Sequence, residues 1–213
     1  MRTVMLTFVA VLLTGASSPA QVGVNSSEQV ERVIERTKNT TATYSVYNWN
    51  WIAVPGHPVI EEWSAEFNSG DLHRVETPRD RLIANCRTKT GSALSLTTGQ
   101  ITRGPAVAGV ACGISTNAKF LSMEYIGHAS GPFGDTDSVR VTDNELVRNY
   151  EISDTGVIVK TIFALKSVPS LVVLDDEAVA LEHQLPSSEI FSVESLQESV
   201  VPSQFKTHLK SSK

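Results

Sequence analysis

Histidines next to carboxylates are the residues of this chain whose types and spacing could do acid–base or metal chemistry. His73 stands close in sequence to Asp71 and Glu76, and the period of a strand puts Asp71 and His73 on the same side. Such a pair can act as a general base or bind a metal ion. On an exposed strand face it is more often only solvated, and the five histidines show no metal-ligand spacing. We therefore predict no catalytic residue, no metal ligand and no cofactor.

An acidic stretch beside several glycines could bind calcium, which prefers clusters of oxygen ligands. The spacing of an EF-hand loop is absent, so we favour a polar turn before a strand. Serine catalysis has no support, since no serine stands in the G-x-S-x-G context of a nucleophile elbow. The acidic residues concerned are Asp135, Asp137, Asp143 and Glu145.

The two cysteines, Cys86 and Cys112, could form a disulfide or remain as two buried thiols. An even number of cysteines in an exported chain favours one disulfide, and the spacing excludes a CxxC redox site. Closing a loop of about 26 residues would stabilise the fold by about 3 kcal/mol in the chain-entropy model. We predict the bond between Cys86 and Cys112.

The N-terminus has the pattern of an export signal. Arg2 supplies a positive charge, an apolar run extends from Val4 to Leu13, and Ser18-Pro19-Ala20 is a small-x-small cleavage pattern. The apolar run is too short to span a bilayer, which disfavours the alternative of a retained anchor helix. We predict a signal peptide over residues 1–20 and one domain over residues 21–213, exported to the periplasm of a Gram-negative cell or otherwise secreted.

Composition limits the partners. The formal net charge is −5, which argues against nucleic acid and against anionic membrane surfaces. After the N-terminal run, no stretch of about 18 apolar residues follows, so we expect no transmembrane segment.

One leading helix and many strands are predicted from the periodicity. Val30, Val33 and Ile34 recur at helical spacing after Asn25, and the helical pattern ends at Asn39. Further on, Trp63, Ala65 and Phe67 alternate with polar residues, as in a half-buried strand, before the turn at 68–71. Similar alternation continues at Leu82 and Ala84, and a convincing hairpin spans residues 147–165 around the turn at 154–156.

Five further segments are predicted from local signals alone. A short apolar helix is expected after Pro105, and residues 115–125 are expected to be helical too. The glycines at 127, 131 and 134 suggest a loop. Asp175-Asp176 is read as a turn between two strands, and the tail from Pro186 to Val201 has a weak helical pattern.

This succession indicates the α+β class. A long antiparallel meander must cover its apolar face, and the leading helix and the middle segment are the available covers. We therefore predict a curved antiparallel sheet, an unclosed half-barrel, with an N-terminal helix and short covering helices.

The segment Trp63-Ser-Ala-Glu-Phe67, the turn at Gly70 and the run Leu72-His-Arg-Val-Glu-Thr-Pro78 resemble the start of the periplasmic lipoprotein carriers of the LolA type. The ending, Ile190-Phe191 with Val201-Pro202, is similar to the closing segment of that family. The resemblance implies a half-barrel whose apolar concave face holds acyl chains or another lipid-like ligand. The residues on the alternating strand faces that would line this concave surface are Trp63, Ala65, Phe67, Leu82, Ala84, Val157 and Val159.

Three classes of function remain open. The first is an exported soluble envelope protein that binds or carries a lipid-like ligand or lipoprotein acyl chains. The second is a non-enzymatic structural or interaction protein of the envelope, with an envelope protein as partner. The third is an enzyme that uses a His–carboxylate pair around His73. The same aromatic residues would serve a ligand cavity or a filled core, so the sequence does not separate the first two.

Overall fold

The structure is a computed structural model that describes residues 26–114 and 120–207. The predicted signal peptide, residues 1–20, lies outside the described residues. In these two described ranges, two α-helices and eleven β-strands follow one another, with short 3₁₀ helices after the last strand. The helices are α1 (Ser26–Lys38) and α2 (Pro105–Ala111), and the 3₁₀ helices are Ser188–Phe191, Glu194–Gln197 and Ser203–Phe205.

All eleven strands belong to one antiparallel sheet, in the order β6-β5-β4-β3-β2-β1-β11-β10-β9-β8-β7. Hairpins join most neighbours, and the pairing of β1 with β11 joins the two halves of the chain. The strands are β1 (Tyr44–Ile52), β2 (Ile60–Ser69), β3 (Leu72–Glu76), β4 (Asp80–Asn85), β5 (Thr90–Ser95), β6 (Ile101–Arg103), β7 (Ser122–Gly131), β8 (Gly134–Thr142), β9 (Leu146–Ser153), β10 (Ile158–Leu165) and β11 (Val168–Glu182).

The amphipathic helix α1 lies over one end of the sheet. Its apolar side buries Val30, Val33 and Ile34 against Val139 and Ile152 of β8 and β9. A charged contact adds to this packing, because Arg36 Nη2 lies 2.7 Å from Asp137 Oδ2. The helix that the sequence predicted is therefore confirmed, and it covers the β8–β9 end of the sheet.

The short helix α2 covers the opposite end. Its Ala108 and Ala111 pack on Ala84 of β4, with Leu82 beside them. Just past α2, the Ile114 backbone N–H donates to Thr37 Oγ1 of α1 at 3.1 Å. The segment just past α2 thus contacts α1, although the two helices cover opposite ends of an eleven-stranded sheet.

The contact between α1 and the segment just past α2 identifies the concave face. Strands lie about 4.8 Å apart, so the outer strands of a flat sheet of this width would be far from one another. Only a sheet that curls around the helices brings the segment after α2 into contact with α1, and the face that carries both helices is therefore the inner one. Within the described residues no ladder joins β6 to β7, so the barrel stays unclosed. The predicted fold class, a half-barrel with an N-terminal helix and short covering helices, is confirmed.

The convex face is covered by the C-terminal segment, residues 185–205, which contains the three 3₁₀ helices. Ile190 and Val201 pack on Tyr47, Ala65 and Phe67 of β1 and β2. Further along, Leu196 packs on Ile83 and Leu94. The sheet is consequently buried on both faces over β1 to β5, and the weak helical pattern of the tail corresponds to 3₁₀ turns.

Two predictions from local signals are wrong. Residues 122–125 belong to β7, a strand rather than a helix, and residues 115–119 lie outside the described part of the chain. The glycines at 127, 131 and 134 continue the β7–β8 hairpin, whose turn is Pro132-Phe133, because cross-strand pairing overrides glycine's preference for loops.

The turn predicted at Asp175-Asp176 is also wrong. Both aspartates lie inside β11, a single strand of fifteen residues that pairs with β10 on one side and β1 on the other. Asp176 faces Asn50 across the ladder, and this polar partner accommodates an aspartate that sequence statistics assign to a turn.

Candidate functional site

Polar side chains occupy the centre of the concave face, between the ends covered by α1 and α2. Strand alternation and register put them there: Asn50 lies opposite Asp176 of β11, and Asn48 lies opposite Ser64 of β2. We call this group the concave polar cluster. Its members are Asn48, Asn50, Ser64, Glu66, His73, Thr161 and Asp176.

Most members form a buried floor. Asn48, Asn50, Ser64, His73 and Thr161 are each at most 8% exposed. The two carboxylates differ, since the side chain of Glu66 is 29% exposed and Asp176 is of intermediate exposure. The carboxylates are therefore the part of the cluster that solvent, or a ligand, can reach.

A chain of hydrogen bonds joins Asp176 to the floor. With the Asn50 amide oriented to suit its neighbours, its Nδ2 donates to the two carboxyl oxygens of Asp176 at 3.0 and 3.2 Å. Its Oδ1 then accepts from Ser64 Oγ at 3.2 Å. This arrangement holds the Asp176 side chain in one orientation.

Burial among packed atoms raises the pKa of Asp176 to about 8, because desolvation penalises the charged carboxylate. The negative charge of Glu66 raises this pKa further, and a hydrogen bond from Asn48 lowers it. Burial first and Glu66 second also raise the pKa of the nearby Tyr44 hydroxyl well above its ordinary value. Burial is the larger cause of both shifts and the charge of Glu66 the smaller one, and no arginine or lysine lowers either pKa.

Two buried polar atoms of the cluster have no hydrogen-bond partner among the described residues: His73 Nε2 and Asn48 Oδ1. His73 Nε2 lies 3.3 Å from Glu66 Oε2, close enough for an ion pair, but the geometry is not that of a hydrogen bond. An unsatisfied buried polar group costs about 1–3 kcal/mol, so a partner that supplied these hydrogen bonds would be favoured.

The His–carboxylate pair anticipated from the sequence exists with a different partner. Asp71 pairs with Arg87 at the surface, and Glu76 pairs with Arg74 on the convex face. Glu66 is the carboxylate beside His73, because these two residues share the concave face on adjacent strands. Proximity in the sequence therefore predicted the wrong carboxylates, Asp71 and Glu76, as partners of His73.

The seven residues predicted to line one concave surface lie on both faces of the sheet. Leu82 and Ala84 lie under α2 on the concave face. Val157 and Val159 pack with Tyr44, on the same face. By contrast, the other three predicted residues lie on the convex face beneath the C-terminal segment: Trp63, Ala65 and Phe67. The prediction of a single shared surface is therefore wrong, because β2 is buried on both faces and alternation alone does not identify the inner one.

The predicted disulfide is present. Cys86 and Cys112 are bonded, with their Cα atoms 5.5 Å apart. The bond ties the end of β4 to the end of α2, so it holds the small helix on the sheet next to the segment that contacts α1.

The acidic stretch that could have bound calcium is used for internal contacts. Asp137 accepts hydrogen bonds from Arg36 and Tyr125 and contacts His128. Burial alone would raise the pKa of Asp137, but these hydrogen bonds, led by the one from Arg36, lower it on balance. Asp143 accepts from the backbone N–H groups of residues 145 and 146 and thus forms the predicted polar turn. Over residues 26–114 and 120–207, no three His, Cys, Asp or Glu side chains could hold a metal ion.

Chemically, the concave polar cluster is rich in hydrogen-bond acceptors and carries negative charge. Its members include no cysteine and no lysine, and its one hydroxyl-bearing pair, Ser64 and Thr161, is buried in the floor. Such an arrangement binds donors or cations. The sequence signal that could have revealed it is Asp175-Asp176, an acidic pair set between the apolar residues Leu171–Leu174 and Ala178–Leu181.

None of the helices in the described residues is long and apolar enough to cross a membrane.

Comparison with known proteins gives structural neighbours only. No protein-family model matches the chain, and no curated protein matches it in sequence. An uncharacterised conserved protein from Thermus thermophilus is similar in structure, with a TM-score of 0.52 at 13% identity over 85% of this chain and 98% of the other. This likeness shows a shared fold.

Two other solved structures have lower scores. A LolA superfamily protein from Nitrosomonas europaea has a TM-score of 0.42 at 11% identity, covering 78% of this chain and 99% of its own. A DUF1329 family protein from Desulfovibrio piger has a TM-score of 0.41 at 10% identity, covering 81% and 99%. At these scores the likeness carries no argument about ligands. The architectural resemblance to LolA-type proteins that the sequence predicted is confirmed, and it is a resemblance of fold.

Proposed function

We propose that this chain is an exported, non-enzymatic binding protein of the cell envelope that holds a lipid-like ligand on the concave face of its sheet. The observation that carries the proposal is the position of the covers: α1 lies over one end of the curled sheet and α2 over the other. The central strands between them carry partly exposed groups on an inner face. The rest of this inner face is covered, and the partly exposed Glu66 and Asp176 mark the opening that a binding protein needs.

Apolar residues next to the concave polar cluster support the choice of ligand. Val46, Val159 and Ala178 lie on the concave face beside Asn48 and Asp176, and they are almost fully buried by their neighbours. An apolar chain would pack on this layer only where a covering side chain moved aside, and each CH₂ group that it then buried would contribute about 0.8 kcal/mol. The unclosed gap between β6 and β7 would let such a chain enter without unfolding the barrel.

Binding of a fluorescent fatty-acid probe tests the proposal. We expect the folded wild-type protein to bind the probe at micromolar concentration, and Ala178→Phe to weaken binding at least tenfold because the larger side chain occupies the inner face. Val179→Phe is the matched control, since the neighbouring Val179 is 51% exposed and stands at a bulge. Circular dichroism would verify that both variants fold. Native mass spectrometry of the wild type would seek a co-purified ligand, and a folded wild type that binds no acyl probe would refute the proposal.

A second candidate function is an envelope interaction protein that uses a sheet edge. Strand β7 is the last strand of the sheet, and ten residues of it present an edge with mostly exposed side chains. Leu121 and Ile126 at this edge are 52% and 46% exposed. Such edges pair with strands of other chains. Ile126→Lys would then abolish complex formation in analytical ultracentrifugation while leaving probe binding intact.

A further inference from the structure

The two carboxylates of the concave polar cluster lack an arginine or lysine partner. In the described part of the chain, Glu66 has only His73 as an ion-pair partner, and Asp176 has only the amides of Asn48 and Asn50. Three other acids of the same sheet differ, because Glu62, Asp137 and Glu177 each pair with an arginine or lysine. Glu66 and Asp176 thus lie on the inner face without such a partner.

Buried acceptors surround the same place. Asn48 Oδ1 lacks a donor and belongs to a residue that is 4% exposed. His73 Nε2 also lacks a hydrogen-bond partner and belongs to a residue that is 5% exposed. Three acceptor groups, Asn48 Oδ1 and the two carboxyl groups, therefore belong to the centre of the concave face.

We propose that the concave polar cluster binds the ammonium head group of an amphiphile. This inference rests on the proposed function and specifies its ligand class. A primary ammonium group carries three donors and one positive charge. It would pair with Glu66 and Asp176 and donate to Asn48 Oδ1, so it satisfies both the charge and an orphaned acceptor. A sulfate or phosphate head group would meet two carboxylates and be repelled.

A series of ligands with one chain and different heads tests the head group. Decylammonium, decyltrimethylammonium, decanol and decyl sulfate would be titrated below their micelle concentrations by isothermal calorimetry. We expect decylammonium to bind at least tenfold more tightly than decanol, the quaternary ion to fall between them, and decyl sulfate to bind most weakly. The quaternary head keeps the charge but has no N–H donor. The difference between its affinity and that of decylammonium therefore measures the hydrogen-bond contribution.

Charge-removing variants locate the site. Glu66→Gln and Asp176→Asn keep the side-chain shapes, and each should weaken decylammonium binding at least tenfold while changing decanol binding less than twofold. Glu177→Gln is the matched control, because Glu177 adjoins Asp176 in sequence but lies on the opposite face of β11, paired with Lys160. It should change neither affinity by more than twofold.

The protonation state of Asp176 gives an independent readout. Its pKa of about 8 leaves the carboxyl mostly protonated at pH 7 in the free protein, so binding a cation should release up to one proton. The charged groups that act on it are Glu66 and Asp175, and Asn48 and Asn50 donate hydrogen bonds to it. Affinity for the non-titrating quaternary ion should rise from pH 6 to pH 9, and Asp176→Asn should lose this rise.

The outcomes separate the two proposals. Equal affinity for all four ligands, or preference for decyl sulfate, would overturn the ammonium site and leave the lipid-binding function standing. Failure of the folded wild type to bind any of the four would overturn both. The head-group series uses the wild-type protein, so it decides the question even where a variant fails to fold.

Discussion

Arg74 and Glu76 form an ion pair in which both side chains are completely buried, with Arg74 Nη2 2.7 Å from Glu76 Oε1. The pair lies on the convex face and holds the C-terminal segment. Arg74 donates to the carbonyl oxygens of Ile190, Ser195 and Glu198. Glu76 accepts from Ser199 Oγ and the Val200 backbone N–H. Burial lowers the pKa of Arg74, and Glu76 counteracts this effect.

Loss of Arg74 should therefore be severe. Arg74→Met leaves the buried Glu76 with only Arg81, whose Nε lies 3.6 Å from Glu76 Oε2, and three carbonyls without their donor, so we expect the free energy of unfolding to fall by about 3–5 kcal/mol in urea titrations. Arg87→Met, at an exposed pair with Asp71, is the control and should cost at most about 1 kcal/mol. Equal effects of the two changes would contradict a role for Arg74 as the anchor of the C-terminal segment.

The disulfide should stabilise the fold by constraining the unfolded chain. We expect a double variant, Cys86→Ser with Cys112→Ser, to lose about 3 kcal/mol of unfolding free energy, as expected for a loop of this length. Reducing the wild type with dithiothreitol should cause a similar loss, and the double variant should be insensitive to the reductant. A wild type whose stability did not change on reduction would show that the bond contributes little.

Asp176 should make stability depend on pH. Its folded-state pKa of about 8 lies above the ordinary aspartate value of 3.8, so its contribution to stability is complete below pH 3.8 and disappears as the pH rises through about 8. Over that window the free energy of unfolding should fall by up to about 1.4 kcal/mol per pH unit on account of this group. Asp176→Asn should flatten the curve between pH 5 and pH 8. An identical pH dependence of stability in the two proteins would exclude the shift.

Gly156 should tolerate no side chain. It has a φ of +87°, and an added Cβ would lie 2.4 Å from the Arg36 carbonyl oxygen at the end of α1. Gly156→Ala should therefore destabilise by both strain and collision, whereas Gly70→Ala, with a φ of +59° and open space, should cost only the strain of about 1–2 kcal/mol. Thermal denaturation of both variants would compare them. A Gly156→Ala variant no less stable than Gly70→Ala would show that α1 shifts away easily.

Short-range patterns in the sequence determined many of the elements. The spacing of Val30, Val33 and Ile34 was sufficient for α1, because a helix of this length needs only one apolar side and ends where that side ends. The hairpin at 68–71 was determined by turn chemistry, with Gly70 at a positive φ. The even cysteine count in a chain with an export pattern was sufficient to predict Cys86–Cys112.

Only the tertiary structure decided which face of each strand lies inside the barrel and what Asp176 does. Alternation along β2 separates Phe67 from Glu66, but both sides are covered, one by the C-terminal segment and the other by the curl of the sheet. Asp175-Asp176 has the composition of a turn, yet the pairing of β11 with both β1 and β10 keeps it extended. The reason is that burial and strand pairing are contacts between residues far apart in the chain, such as Asn50 and Asp176, and no local pattern encodes which distant residue will supply the partner.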